Sequence, residues 1–241
     1  MKHVILNSGG MDSALMMYYL RKTIGADQLL SVFVSVKQKY EKKESTSAAN
    51  LASRMGIEHV KMQGGHIANF EHSSGIIPFR NAELILNAAQ YGDDLYLGVL
   101  KDEVNSDKSE EFLSAMVQVL DISHTAQYWT KGRKFRIHTP LKQATKTEHL
   151  ANVYANGSQK DWLAVLNTVS CYSDTKTHCG ACPSCFKRWV ALAIVTGKLQ
   201  VEEYATSPWL YMTEEQVMSK TWSHDRKNEV LLALSLAKSK K

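Results

Sequence analysis

The six residues Ser8-Gly9-Gly10-Met11-Asp12-Ser13 bring together the groups that hold a phosphate chain. Two adjacent glycines let the backbone turn tightly and approach a ligand with no Cβ in the way, and the N–H groups of a helix starting there point at it. The positive end of the helix dipole favours the same anion. Ser8 and Ser13 can add hydroxyl donors, whereas the Asp12 carboxylate repels phosphate unless a magnesium ion bridges the two. The stretch therefore reads as a site for a nucleotide with a metal. It has no lysine in the G-x-x-x-x-G-K-[ST] position and fails the G-x-G-x-x-G spacing, so two common phosphate loops are excluded. The plain alternative is a glycine turn before a helix capped by Asp12 or Ser13.

A second constellation, Cys171-x7-Cys179-x2-Cys182-x2-Cys185, holds all four cysteines of the chain. Disulfides do not suit a reducing compartment, so four thiols this close read as a metal site. Tetrahedral zinc is the natural occupant, and four protein ligands leave no open position, which makes its role structural. An iron–sulfur cluster uses the same number of cysteines. His178, beside Cys179, is expected to stay outside the ligand set.

Three further positions could face an anion. Arg80 and Asn81 stand where a helix starts, with Asn81 as a simple N-cap the rival explanation. Lys146 opens a segment in which Thr145 and Glu148 have capping-box spacing. Gly98, inside the apolar run Leu95–Leu100, predicts close approach of a ligand or another backbone.

The elements that must position these residues alternate along the chain. Apolar runs predict strands at 3–6, 29–36, 59–62, 94–100 and 135–138, and helical spacing predicts helices from 14 to 20, 41 to 55, 82 to 91, 111 to 120 and onward from 146. This rhythm is that of an α/β fold, a doubly wound parallel sheet, in which ligands bind beyond the carboxyl ends of the strands. Residues 64–78 form a long glycine-, serine- and histidine-rich connection expected to act as a lid or binding loop, with His66 and His72 as polar loop residues. After Gln200 a tail carries two helix-like segments, 213–221 and 225–238, the second read as a packing or dimer-contact helix.

Composition sets the outer bounds. A chain of 241 residues with 44% hydrophobic and 22% charged residues suits an α/β domain with an appendage, placed here at 1–160 and 161–241. The longest apolar run, Trp189–Val195, is too short to span a bilayer, and the N-terminus lacks a signal-peptide plan, so a cytoplasmic location is expected. The net charge of +5 is mild and owes three lysines to the last four residues, which argues for an anionic small molecule over nucleic acid as the partner.

The hexapeptide resembles the S-G-G-x-D-S loop of the PP-loop ATP pyrophosphatase (adenine nucleotide alpha hydrolase-like) superfamily. Together with Pro78-x-Arg80-Asn81, Thr139-Pro140-Leu141, Thr145-Lys146-Thr147-Glu148 and Ser170-Cys171-Tyr172 leading to Cys179-Gly180-x-Cys182-x-x-Cys185, it resembles the 7-cyano-7-deazaguanine synthase (QueC) family from about residue 3 to 190. The resemblance implies a PP-loop sheet with a small helical zinc-binding lobe, ATP, Mg2+ and Zn2+ as cofactors, and 7-carboxy-7-deazaguanine and ammonia as substrates. It also implies catalytic roles for Asp12, Arg80 and Lys146, nucleotide contacts from Ser8 to Ser13 and Gly98, and Cys171, Cys179, Cys182 and Cys185 as metal ligands. One stretch departs: residues 105–112 are shorter than the family's S-G-Y-P-D-C-R region and lack its pattern. A branch that activates the same or another carboxylate and stops at an amide, or joins it to a macromolecule, is the alternative.

Overall fold

A computed structural model describes residues 2–72, 76–101, 106–173 and 177–239. Parts of the 64–78 connection, the 101–110 loop, the cysteine window and the last two lysines lie outside these residues.

Five strands form one parallel sheet: β1 (His3–Leu6), β2 (Leu29–Ser35), β3 (Glu58–Gln63), β4 (Asp94–Tyr96) and β5 (Arg136–His138), in the order β3-β2-β1-β4-β5. The chain winds outward from β1 to β3, then crosses back to lay β4 on the other side of β1. The crevice between β1 and β4 is the switch point where α/β sheets bind ligands.

Strand alternation divides the core into two layers. Val4 and Leu6 of β1, with Leu30, Val32 and Val34 of β2, pack against α3 (Arg80–Ala88) and α4 (Glu110–Ser123). Ile5 and Leu29 face the opposite side, covered by α1 (Met11–Thr23), α2 (Glu41–Met55), α5 (Lys146–Asn156), α6 (Gln159–Leu166) and part of α7 (Pro183–Thr196). A sheet with helices on both faces buries its apolar strands twice over, which is why β2 is buried along its whole length.

α7 joins this core to a third cluster. Ala191 and Leu192 face α1 and α5, while Phe186, Trp189, Val190 and Ala193 pack with α8 (Glu214–Met218) and α9 (His224–Ser239). Val230, Ala233, Leu234 and Ala237 of α9 are buried there, so this helix packs on its own chain.

Several boundaries differ from the sequence expectations. The strand predicted over 94–100 ends at Tyr96: Leu97 N–H still donates to His138 O (3.0 Å), but Val99 N–H turns back to Leu97 O (3.0 Å). That turn bends Gly98 off the sheet toward α1. The third helix begins at Arg80, two residues earlier than its pattern suggests, because Phe79 serves as its N-cap in the left-handed region (φ 61°). Asn81 is therefore not the cap. The capping box at Thr145 and Glu148 is present.

Candidate active site and metal centre

The glycine loop leaves the carboxyl end of β1 and runs directly into α1. Gly9 has φ +73°, and a Cβ there would meet Ala48 N and Glu44 O at 2.7 Å, so only glycine fits. Its peptide is held from behind. Gly9 N–H donates to Asn7 Oδ1 (2.8 Å), and Gly9 O accepts from Ser47 Oγ (2.7 Å) and Val169 N–H (3.0 Å). Asn7 is in turn fixed by donating to Ser31 Oγ (2.9 Å) and Ala48 O (3.0 Å). Gly10, the N-cap, has no side chain to close the helix, which leaves the first turn's N–H groups to a ligand. Ser8 Oγ and Ser13 Oγ lie 3.3 Å apart, and Ser8 N–H donates to Ser13 Oγ (3.1 Å), so both hydroxyls face one point.

Asp12 and Lys146, assigned separate tasks from the sequence, form an ion pair at 2.8 Å. Asp12 Oδ1 is buried yet makes no well-aligned hydrogen bond, a state that suits a carboxylate able to coordinate a cation. Gly98 lies against this residue: a Cβ there would come within 3.6 Å of Asp12 Cβ. The close approach expected of Gly98 is thus to the backbone and Cβ of Asp12. Lys146 is the first residue of α5, behind the Thr145 cap.

These groups line one cavity of about 1030 Å³, which reaches from Ser8, Asp12 and Gly98 past Arg80 and Lys146 to Trp222 and Arg226. Its side toward β2 and α3 is apolar, with Val32, Phe33, Val34 and Leu84. Arg80 also lines it, and its charge reaches Glu44. Burial pushes the Glu44 carboxyl up to about 7, against the pull of Gln38 Nε2, which donates to it at 2.7 Å, and of Arg80. Asn81 Nδ2 donates to Asp107 O (3.2 Å), tying the start of α3 to the short helical turn Ser106–Lys108.

The four cysteines converge, with all four Sγ atoms within 4.8 Å of one another. Sulfurs bound about 2.3 Å from a tetrahedral ion lie roughly 3.8 Å apart, and Cys179 Sγ is 3.9 Å from Cys185 Sγ. N–H donors already surround the sulfurs: Cys179 N–H and Ser173 N–H point at Cys171 Sγ (3.3 and 3.4 Å), and Cys185 N–H at Cys182 Sγ (3.4 Å). Cys182 is the N-cap of α7, and its thiol is drawn below the usual range, chiefly by the Cys185 hydrogen bond. His178 stays outside the cluster. Its Nε2 accepts from Ser170 N–H (3.2 Å), and burial with the nearby Arg188 charge lowers its pKa to about 3, so the ring is neutral. The set could hold a metal ion.

Sequence reasoning missed the residues that brace the loop. Ser47 and Val169 grip Gly9. Arg188 is 1% exposed and anchors the segment before the cysteines by donating to Thr168 Oγ1 (2.9 Å) and Leu166 O (2.6 Å), with Glu203 as its counter-ion at 3.3 Å. The available signal was an arginine immediately before the longest apolar run of the chain.

A family model described as queuosine biosynthesis protein QueC matches residues 2–76 and 66–196. The chain belongs to the QueC family. QueC relatives named 7-cyano-7-deazaguanine synthase include that of Methanosphaerula palustris, 29% identical over 221 residues that span 80% of this chain and 95% of the relative. The synthase of Methanocaldococcus jannaschii is 27% identical over 225 residues, 78% of this chain and 93% of its own. That of Aquifex aeolicus is 25% identical over 213 residues, 78% and 95% of the two chains. The QueC match ends at residue 196, before the tail that carries Trp222 and Arg226. Among the described residues no helix is long and apolar enough to cross a membrane.

Proposed function

We propose that the chain converts 7-carboxy-7-deazaguanine and ammonia to 7-cyano-7-deazaguanine at the expense of ATP, in the cytoplasm, as a step of queuosine-type 7-deazapurine biosynthesis. The observation that carries this is the intact glycine loop with Asp12 and Lys146 paired at its mouth, in a chain of the QueC family. The relatives' shared name supports the nitrile over a branch that stops at an amide.

A carboxylate is a poor electrophile and must be activated. Its oxygen attacks the α-phosphorus of ATP, the α–β bridging bond breaks, and pyrophosphate leaves onto the N–H groups beyond Gly10. Ammonia then adds to the acyl carbon, and AMP departs to give the amide. In a second activation the amide oxygen attacks the α-phosphorus of another ATP, releasing pyrophosphate and one N–H proton; the resulting imidate then loses AMP and the second N–H proton to leave the nitrile. The protein supplies electrostatics rather than a covalent nucleophile. The Ser8 and Ser13 hydroxyls and the helix start bind the departing pyrophosphate, while Arg80 and Lys146 offset its charge. The apolar side of the cavity formed by Val32, Phe33 and Val34 suits the adenine ring.

Asp12 is the residue that would hold Mg2+, and its unaligned buried oxygen fits that role. Magnesium supplies charge neutralisation along the phosphate chain. Cys171, Cys179, Cys182 and Cys185 would hold Zn2+ in a structural role. Sulfurs gathered within 4.8 Å suit a single ion better than a bulkier iron–sulfur cube. Exchange of labelled pyrophosphate into ATP tests the first half-reaction: it should depend on both magnesium and 7-carboxy-7-deazaguanine, and exchange independent of the carboxylate would contradict the assignment.

A further inference from the structure

Resting on this reaction, we infer that Trp222 and Arg226 form the wall that binds the carboxylate-bearing deazapurine. Neither residue lies within the stretch matched by the family model, yet both line the same cavity as Asp12 and Arg80. Two polar ties dock the tail at this edge. Asp225 Oδ2 meets Lys101 Nζ at 2.9 Å, and Glu229 Oε1 accepts from Thr145 Oγ1 at 2.6 Å. The two acids stand one helical turn apart on α9, and Arg226 lies on that turn.

The Arg226 guanidinium sits 4.5 Å from the centre of the Trp222 ring. A guanidinium held over an aromatic ring keeps N–H groups that can fork onto a carboxylate. Behind the pair a second recess of about 230 Å³, lined by Phe186, Val190 and Val230, borders the same residues. These apolar walls lower the local dielectric and strengthen an ion pair formed there. Lys146 lines both spaces. An anion on Arg226 would therefore lie beside the lysine that pairs with Asp12 at the glycine loop, where a carboxylate must meet the α-phosphorus. The indole offers a flat surface for the bicyclic ring. The tail thus takes on recognition of the substrate.

The test uses the full-length, metal-loaded chain. Titration with 7-carboxy-7-deazaguanine should quench tryptophan fluorescence in the wild type and leave Trp222→Phe unquenched. Arg226→Ala should raise KM for the carboxylate by roughly tenfold or more while KM for ATP stays within twofold. Arg226→Lys, which keeps the charge but loses the fork, should fall between the two. Melting temperatures matching wild type exclude misfolding, and the ratio of the two KM values remains informative in any variant that turns over. If wild type releases AMP with the carboxylate but Arg226→Ala leaves its KM unchanged, or raises both KM values alike, the wall is refuted and the reaction stands. If wild type shows no carboxylate-dependent AMP release, the reaction fails and the wall with it.

Discussion

Lys146 Nζ lies 2.8 Å from Asp12 Oδ1, so the two residues expected to act on the phosphates from opposite signs of charge neutralise one another at the cavity mouth. The pair holds a half-buried carboxylate in place beside the glycine loop, where in the proposed reaction a cation and a phosphate chain would share its charges.

Removing either partner should uncouple the site. Asp12→Asn is expected to lower AMP release by at least about 10²-fold, and Lys146→Ala by a similar order, the scale of losing one electrostatic contact to a departing group. Because they act as a unit, the double variant should lose less than the product of the single losses. Steady-state release of AMP and pyrophosphate measures this; strictly multiplicative losses would mean that the two work independently.

Gly9→Ala tests the loop itself. The substitution places a Cβ 2.7 Å from Ala48 N and Glu44 O at φ +73°, and is expected to cost on the order of 3 kcal/mol. Calorimetry should show the loss of stability and ATP titration the loss of binding. Gly10→Ala, whose nearest neighbour would be Ser8 Oγ at 3.4 Å, should be far milder in stability.

Glu44 gives the site a pH signature. Its folded-state pKa of about 7 exceeds the ordinary 4.5, so between those values the folded chain keeps a proton that the unfolded chain has released. Stability attributable to this group therefore falls as pH rises through that window. Glu44→Gln removes the penalty. Glu44 lines the open cavity, so the gain should be about 1–2 kcal/mol at pH 8, vanishing near pH 4. Denaturant melts of both proteins across the range would show it, and a pH-independent difference would contradict it.

Metal removal should unfold the cysteine lobe first. Elemental analysis is expected to find zinc, and a strong chelator or Cys182→Ser should cost several kcal/mol of stability. The effect should reach the glycine loop, because Val169, which holds Gly9 O, lies two residues before Cys171. Weaker ATP binding by the chelated protein would report that link. Iron in place of zinc would overturn the metal assignment.

The parts legible in the sequence were those written in local chemistry. Gly9 needs φ +73°, Thr145 and Glu148 close a capping box, and four cysteines converge as their spacing implied. What was hidden is tertiary. Whether the run after Asp94 stays in the sheet depends on Val99 turning back to Leu97, and that turn brings Gly98 against Asp12. The pairing of Asp12 with Lys146 spans 134 positions, and the braces Ser47 and Val169 carry no local signal. Trp222 and Arg226 reach the cavity because α9 buries Val230, Ala233 and Leu234 in the third cluster, with Asp225 and Glu229 tied to Lys101 and Thr145 far away in the chain.

The most direct measurement is product analysis. Incubated with ATP, magnesium, ammonium and 7-carboxy-7-deazaguanine, the chain should yield AMP, pyrophosphate and 7-cyano-7-deazaguanine by mass spectrometry. AMP accompanied by the amide alone, or no AMP at all, would contradict the proposed reaction.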